Sequence, residues 1–346
     1  IFTSVFVFLL FTQVSFAVTY YSQTSGAPHT LANWNTVRAG GGSTPGNFTT
    51  AGDFFVIQNT HTMTTTALWT VSGSGTTLQI ESGGALTAAS TFPVTIGSTA
   101  TFQIDNGGTY THSNTSAFGS TIMQGTESFG SSSTVIFTDW NSTGPIVSSW
   151  GNIVFNAPGA VAGSMQFSNN LTTVNGRLEI IATGSTPREI RLATTGSYTL
   201  TIGGDLIISG GIFNPASGAS GGTRVINIGG NFNMTAGTFN HTNSTATTFN
   251  FTGTNKTWTQ SGGTFTNANL TWGINSGASL TLASNFAIAS TRSLVNNGTL
   301  DCATFAVTGA GAFTMGATNS TLRTGNTAGL SSTAATGSIQ VLGTRT

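Results

Sequence analysis

Nine basic and nine acidic residues are the whole formal charge of this 346-residue chain, so acid–base or metal chemistry has few places to reside. Five of them crowd together: Arg177, Glu179, Arg188, Glu189 and Arg191. Residues i and i+2 of an extended strand share a face, which puts Arg177 beside Glu179 and Glu189 beside Arg191. Such a cluster could line a carbohydrate-binding groove or supply the acid and base of a polysaccharide lyase or hydrolase. The competing reading is a set of exposed ion pairs between neighbouring coils, worth little energetically. The balanced charges favour that second reading. Glu81 and Asp105 hold equivalent positions in two copies of a repeat and are expected to stack about 5 Å apart. They could share a proton or contribute to a calcium site. Calcium, however, usually takes six or more oxygen ligands, so both are expected to face solvent.

The other candidates are sparse. His29, His61, His112 and His241 are scattered without metal-ligand spacing. Cys302 is the only cysteine, which excludes an intrachain disulfide and multi-cysteine metal sites, and it is expected to be buried. Lys256 is the only lysine. Without clustered Lys and Arg there is no footprint for a nucleic-acid phosphate backbone or for an anionic membrane surface. No cofactor is implied. The sequons at Asn141 and Asn243 are expected by chance in so Thr-rich a chain.

The elements that would position these residues are short strands and turns. Charged residues make up 5% of the chain and glycine contributes 46 residues, while Phe, Val, Ile and Leu stay plentiful. That combination suits β-strands punctuated by tight turns and not a disordered polar tract. Ile-Ser-Gly-Gly-Ile-Phe-Asn (208–214), Met-Thr-Ala-Gly-Thr-Phe-Asn (234–240) and Gln-Ser-Gly-Gly-Thr-Phe-Thr (260–266) align without gaps at a period of 26. An earlier pair, Leu-Gln-Ile-Glu-Ser-Gly-Gly (78–84) and Phe-Gln-Ile-Asp-Asn-Gly-Gly (102–108), repeats at 24. A unit of that length built from two or three strands is one coil of a parallel solenoid. Propeller blades and tandem sandwiches repeat at longer intervals. The chain is therefore predicted to be all-β, a right-handed parallel β-helix (β-solenoid) of roughly 13 coils with an N-terminal capping segment. Leu206 and Ile208, Phe232 and Met234, and Trp258 are expected inside, with Gln260 the polar exception. Phe213, Phe239 and Phe265 should form an internal ladder.

Residues 1–17 read as a signal peptide, apolar to Phe16 and ending in Ser15-Phe16-Ala17. The run is short of the roughly 20 residues a transmembrane helix needs, so the mature chain is expected to have no transmembrane segment. The absence of an initiator Met and of a closing element at the C-terminus suggests a piece of a longer protein. Residues 18–75 are assigned to the cap and 76–346 to the solenoid, with an irregular stretch at 130–163 that is either a bulged coil or an insertion between two halves.

Tyr-Tyr-Ser-Gln-Thr-Ser-Gly (20–26), Ala-Asn-Trp-Asn-Thr (32–36) and Asp-Phe-Phe-Val-Ile (53–57), with Trp-Gly-Asn-Ile-Val-Phe-Asn (150–156), Leu-Thr-Ile-Gly-Gly-Asp-Leu (200–206) and Asn-Ala-Asn-Leu-Thr-Trp (267–272), carry a family likeness. In them the chain resembles the Thr- and Gly-rich β-strand-repeat proteins secreted by Bacteroidetes-type bacteria. That resemblance implies a secreted or cell-surface, adhesin-like protein and brings no catalytic residues with it. The leading expectation is a structural or adhesive protein whose hydroxyl and amide rows make weak multivalent contacts with polysaccharide or other cell-surface components. A carbohydrate-active β-helix enzyme is the alternative. Ice binding would need regular Thr-x-Thr rows, and beside the Phe ladder only Thr264/Thr266 fits.

Overall fold

The structure is a computed structural model that describes residues 17–115, 124–140, 148–159, 161, 163–184, 188–193, 196–217, 221–241, 244–266, 269–330 and 336–346. The signal-peptide reading, apart from Ala17, and the sequons at Asn141 and Asn243 lie outside the described residues.

Short strands and a single 3-10 turn, Leu31–Asn33, make up the regular structure of the described residues. Successive coils stack in parallel register to form a β-solenoid with three faces. The second face is one sheet of 12 strands, running from Thr62–Thr64 to Thr321–Arg323. The first face is a six-stranded sheet ending at Thr126–Phe129, continued by an eight-stranded sheet that starts at Ser149–Trp150. The third face has three sheets, of two, five and three strands. Among the described residues the second face stacks 12 strands, in a solenoid of about 10 turns against the roughly 13 coils expected, and the residues before Phe54 enter the cap. There Thr19–Ser22 pairs in parallel with Phe54–Ile57 and antiparallel with Trp34–Asn35. Trp34, fully buried, lies edge-on to Phe55 at 5.5 Å and close to Trp69 and Phe48, closing that end of the core. Parallel pairing therefore already runs through residues 18–75, from Thr19 on Phe54 to Phe54 on Thr77.

The stretch at 130–163 interrupts the first face and leaves the second intact. Four residues turn the corner between Phe129 and Thr134, whereas Gly151 alone separates Trp150 from Asn152. The second face absorbs the shortened corner, with Thr134 opposite Asn152 and Phe137 opposite Phe155.

Period-2 alternation decides what enters the core. Leu206, Phe232 and Trp258 are in one register, as are Ile208, Met234 and Gln260. All are buried except Gln260, which is half-buried. Phe213, Phe239 and Phe265 align as a ladder, with ring centroids 5.2 and 5.1 Å apart. Each buried ring contributes roughly 1.5–3 kcal/mol of transfer free energy. Phe265, at the end of its sheet, is only partly covered.

Candidate functional site

The charged cluster divides into two ion pairs on different faces. Arg177 Nε lies 2.8 Å from Glu179 Oε2, on the strand Leu178–Thr183 of the second face. Arg191 Nε lies 2.7 Å from Glu189 Oε2, at the strand Ile190–Ala193 of the third face. Among the described residues Arg188 joins neither pair. Both bridges form within one coil, through the i, i+2 geometry of a strand, and not between neighbouring coils. The two carboxylates stand on separate sheets and do not converge on one groove.

The two pairs also differ in setting. Arg177 is half-exposed and its bridge sits in solvent. Glu189 is buried, and its oxygens are taken up by three donors from three successive coils. Oε2 accepts from Arg191 and from Asn214 Nδ2 at 3.1 Å, and Oε1 accepts from Asn240 Nδ2 at 2.7 Å. Asn214 pairs with Arg191 in the sheet, and the Asn240 side-chain oxygen Oδ1 in turn accepts from the Thr266 hydroxyl at 2.9 Å. The carboxylate staples the third face together. Three of its roughly four acceptor sites are engaged in this network. The recurrence of Asn after the ladder Phe, at 214 and 240, was the available signal for this arrangement.

Glu81 and Asp105 are equally occupied, each by its own donors. Arg38 reaches from the cap to grip both oxygens of Glu81, its guanidinium also 4.4 Å over the Tyr21 ring. That hydrogen bond and charge hold the Glu81 carboxyl below its ordinary range, against the opposing effect of burial. Asp105 accepts from Gln79 and Gln103, both at 2.7 Å. Each carboxylate turns to a different neighbour, Glu81 to Arg38 and Asp105 to the two glutamines. Among the described residues no three His, Cys, Asp or Glu side chains are grouped to hold a metal ion.

Other polar groups had no sequence signal. The Ser22 hydroxyl lies 2.8 Å from His61 Nδ1, a pairing that resembles a nucleophile and its base. Ser22 is fully buried and accepts the Gln58 amide N–H, so the pair fastens the cap to the first coil. Arg224 points inward between Tyr198 and Thr247, and burial lowers its guanidinium pKa. Glu127 stands opposite Phe102 on the inward side of the first face, and burial raises its carboxyl. Cys302 is buried, with its thiol pushed up to about 12 chiefly by desolvation and then by Asp301.

The outward residues form rows. Thr64, Thr87 and Thr111 are in register on the second face, as are Thr109 and Thr134. On the third face the Thr238 and Thr264 hydroxyls lie 3.4 Å apart. The rows are broken by Ala85, Ile136 and Ile212. No protein-family model, curated protein or solved structure matches the chain. No helix among the described residues is long and apolar enough to cross a membrane.

Proposed function

We propose that this chain is an exported structural or adhesin-like protein of the bacterial cell surface, non-catalytic, making weak multivalent contacts with glycans or other surface components. The observation that carries the reading is the outward register of hydroxyl and amide groups from coil to coil, as in Thr64, Thr87 and Thr111. Stacking repeats such groups every ~4.8 Å, so weak individual contacts add along the axis through effective concentration. The carboxylates support the same reading. Glu81, Glu179 and Glu189 are each tied to an arginine, whereas glycoside hydrolysis needs two facing carboxyl groups roughly 5–9.5 Å apart. The resemblance to Thr- and Gly-rich repeat proteins of Bacteroidetes-type bacteria agrees with export and a surface location.

The test is binding of the purified chain, as monomer and displayed multivalently on beads, to a glycan array and to polysaccharide-coated surfaces. Binding that strengthens at least tenfold on multivalent display is expected. Absence of binding in both formats, or release of sugar products from a polysaccharide panel, overturns the reading.

A further inference from the structure

The third face contains a step, and the step opens a crevice. In the regular coils the third-face Phe follows its second-face partner by seven residues, as Phe239 follows Phe232 and Phe265 follows Trp258. Leu282 stacks on Trp258, yet the next third-face aromatic, Phe286, comes only four residues later. The shorter corner draws Phe286 inward, with its ring 4.2 Å from that of Trp258. The strand Phe286–Ile288 therefore does not pair with Thr264–Thr266, and each is the terminal strand of its own sheet. Between them lies a crevice of about 370 Å³.

The lining specifies what could enter. Trp258, Trp272 and Leu270 contribute to its apolar wall, Phe265 offers a partly exposed ring, and Gln260 and Thr264 contribute polar groups. Among the described residues no ionisable side chain lines it, so they offer no charge to a phosphate, a carboxylate or an amine. The volume lies at the small end of ligand cavities, which run from roughly 300 to 1,000 Å³, and suits one ring. Trp258 is 1% exposed, stacked on Phe232 at 4.3 Å, and forms the floor of the crevice.

We infer that the step between Thr264–Thr266 and Phe286–Ile288 is a binding site for one neutral sugar ring of a glycan. The C–H edge of the sugar packs on the electron-rich face of Phe265. Its hydroxyls bond to the Gln260 amide and the Thr264 hydroxyl at the mouth of the crevice, and the Trp258 ring beneath reports the change in its surroundings. This inference rests on the glycan-contact reading and gives it a defined subsite, separate from the Thr rows.

The experiment is a proton–nitrogen NMR titration of the whole chain with glucose, galactose, mannose and N-acetylglucosamine, each to about 10 mM, a range that covers millimolar affinity. The Trp258 indole N–H resonance is assigned by its loss in Trp258→Phe. One or more sugars are expected to shift it saturably, and Phe265→Ala and Gln260→Ala should each weaken that response about tenfold. Both substitutions are at partly exposed positions, and an unchanged amide spectrum elsewhere reports folding. Should Phe265→Ala unfold, Phe265→Leu, which keeps the bulk and removes the ring, replaces it. An indole resonance that no sugar moves, or a shift unchanged in both variants, overturns the inference. So does a shift produced only by apolar probes such as phenol. If the glycan array is positive while the indole resonance stays still, the crevice fails and the surface reading stands. If neither responds, both fall.

Discussion

Arg38 of the cap closes a two-pronged ion pair on Glu81 of the second coil, its Nη1 2.9 Å from Oε2, across 43 residues of sequence. It is the one ion pair in the described residues that ties the cap to the coils. Gln58 adds to the clasp by accepting from Arg38 and donating to its backbone carbonyl.

Removing the clasp should loosen the cap in a pH-dependent way. Arg38 is half-exposed, so Arg38→Ala is expected to cost only about 0.5–1 kcal/mol. Because the folded Glu81 carboxyl is held below its ordinary value, the contribution is complete above the unfolded value of about 4.3. It fades as pH falls through the lower folded value. Thermal melts of wild type and variant should differ at pH 7 and converge in strong acid. A gap that is the same at both pH values would reject the electrostatic account.

The two i, i+2 ion pairs should differ in weight. Glu179→Ala breaks a solvent-exposed bridge and should cost less than about 0.5 kcal/mol. Glu189→Ala removes the buried acceptor of Arg191, Asn214 and Asn240, and about 1–3 kcal/mol is expected from the stranded donors. Urea denaturation of both variants provides the comparison. Equal midpoints would show that the third-face network does not bind the coils together.

Two glycines with similar dihedrals separate strain from collision. Gly237 and Gly277 have φ of +76° and +80°, where a side chain costs about 1–2 kcal/mol. A Cβ on Gly277 would meet open space, but one on Gly237 would lie 2.6 Å from the Gly210 carbonyl of the coil below. Gly277→Ala should therefore stay near the strain cost alone, with Gly237→Ala at least twice as destabilising. Equal melting temperatures would mean that the coils can part without penalty.

The Cys302 thiol should be inert while the chain is folded. Its pKa of about 12 and its burial leave almost no thiolate at pH 8. A thiol reagent is expected to react only after denaturant is added. Since folding favours the protonated thiol, the associated stability is whole below about 8.5 and declines as pH rises toward 12. Rapid labelling of the native protein at pH 8 would contradict this placement.

Much of the architecture was legible along the chain because a solenoid is built from near neighbours. A strand's period of two separates Leu206 and Ile208 from Ile207, and a 26-residue recurrence is enough to set Phe213 on Phe239 on Phe265. The pairing of Arg177 with Glu179 and of Glu189 with Arg191 followed from the same spacing. What each carboxylate does was not legible, since its partners come from other coils or from the cap. Glu81 was aligned with Asp105 and instead belongs to Arg38, while Asp105 belongs to two glutamines.

Sequence alone determined that this protein stacks, which residues of its regular coils face inward, and that its surface is poor in charge and rich in hydroxyls. Those properties depend on alternation and repeat length, both local. Tertiary structure decided where the stack departs from itself. A spacing of four residues from Leu282 to Phe286, in place of seven, shifts one strand inward, and Trp258, an ordinary core residue by pattern, comes to line a crevice. Corner lengths act by moving whole strands relative to the coil before, so their consequence exists only once the coils are stacked.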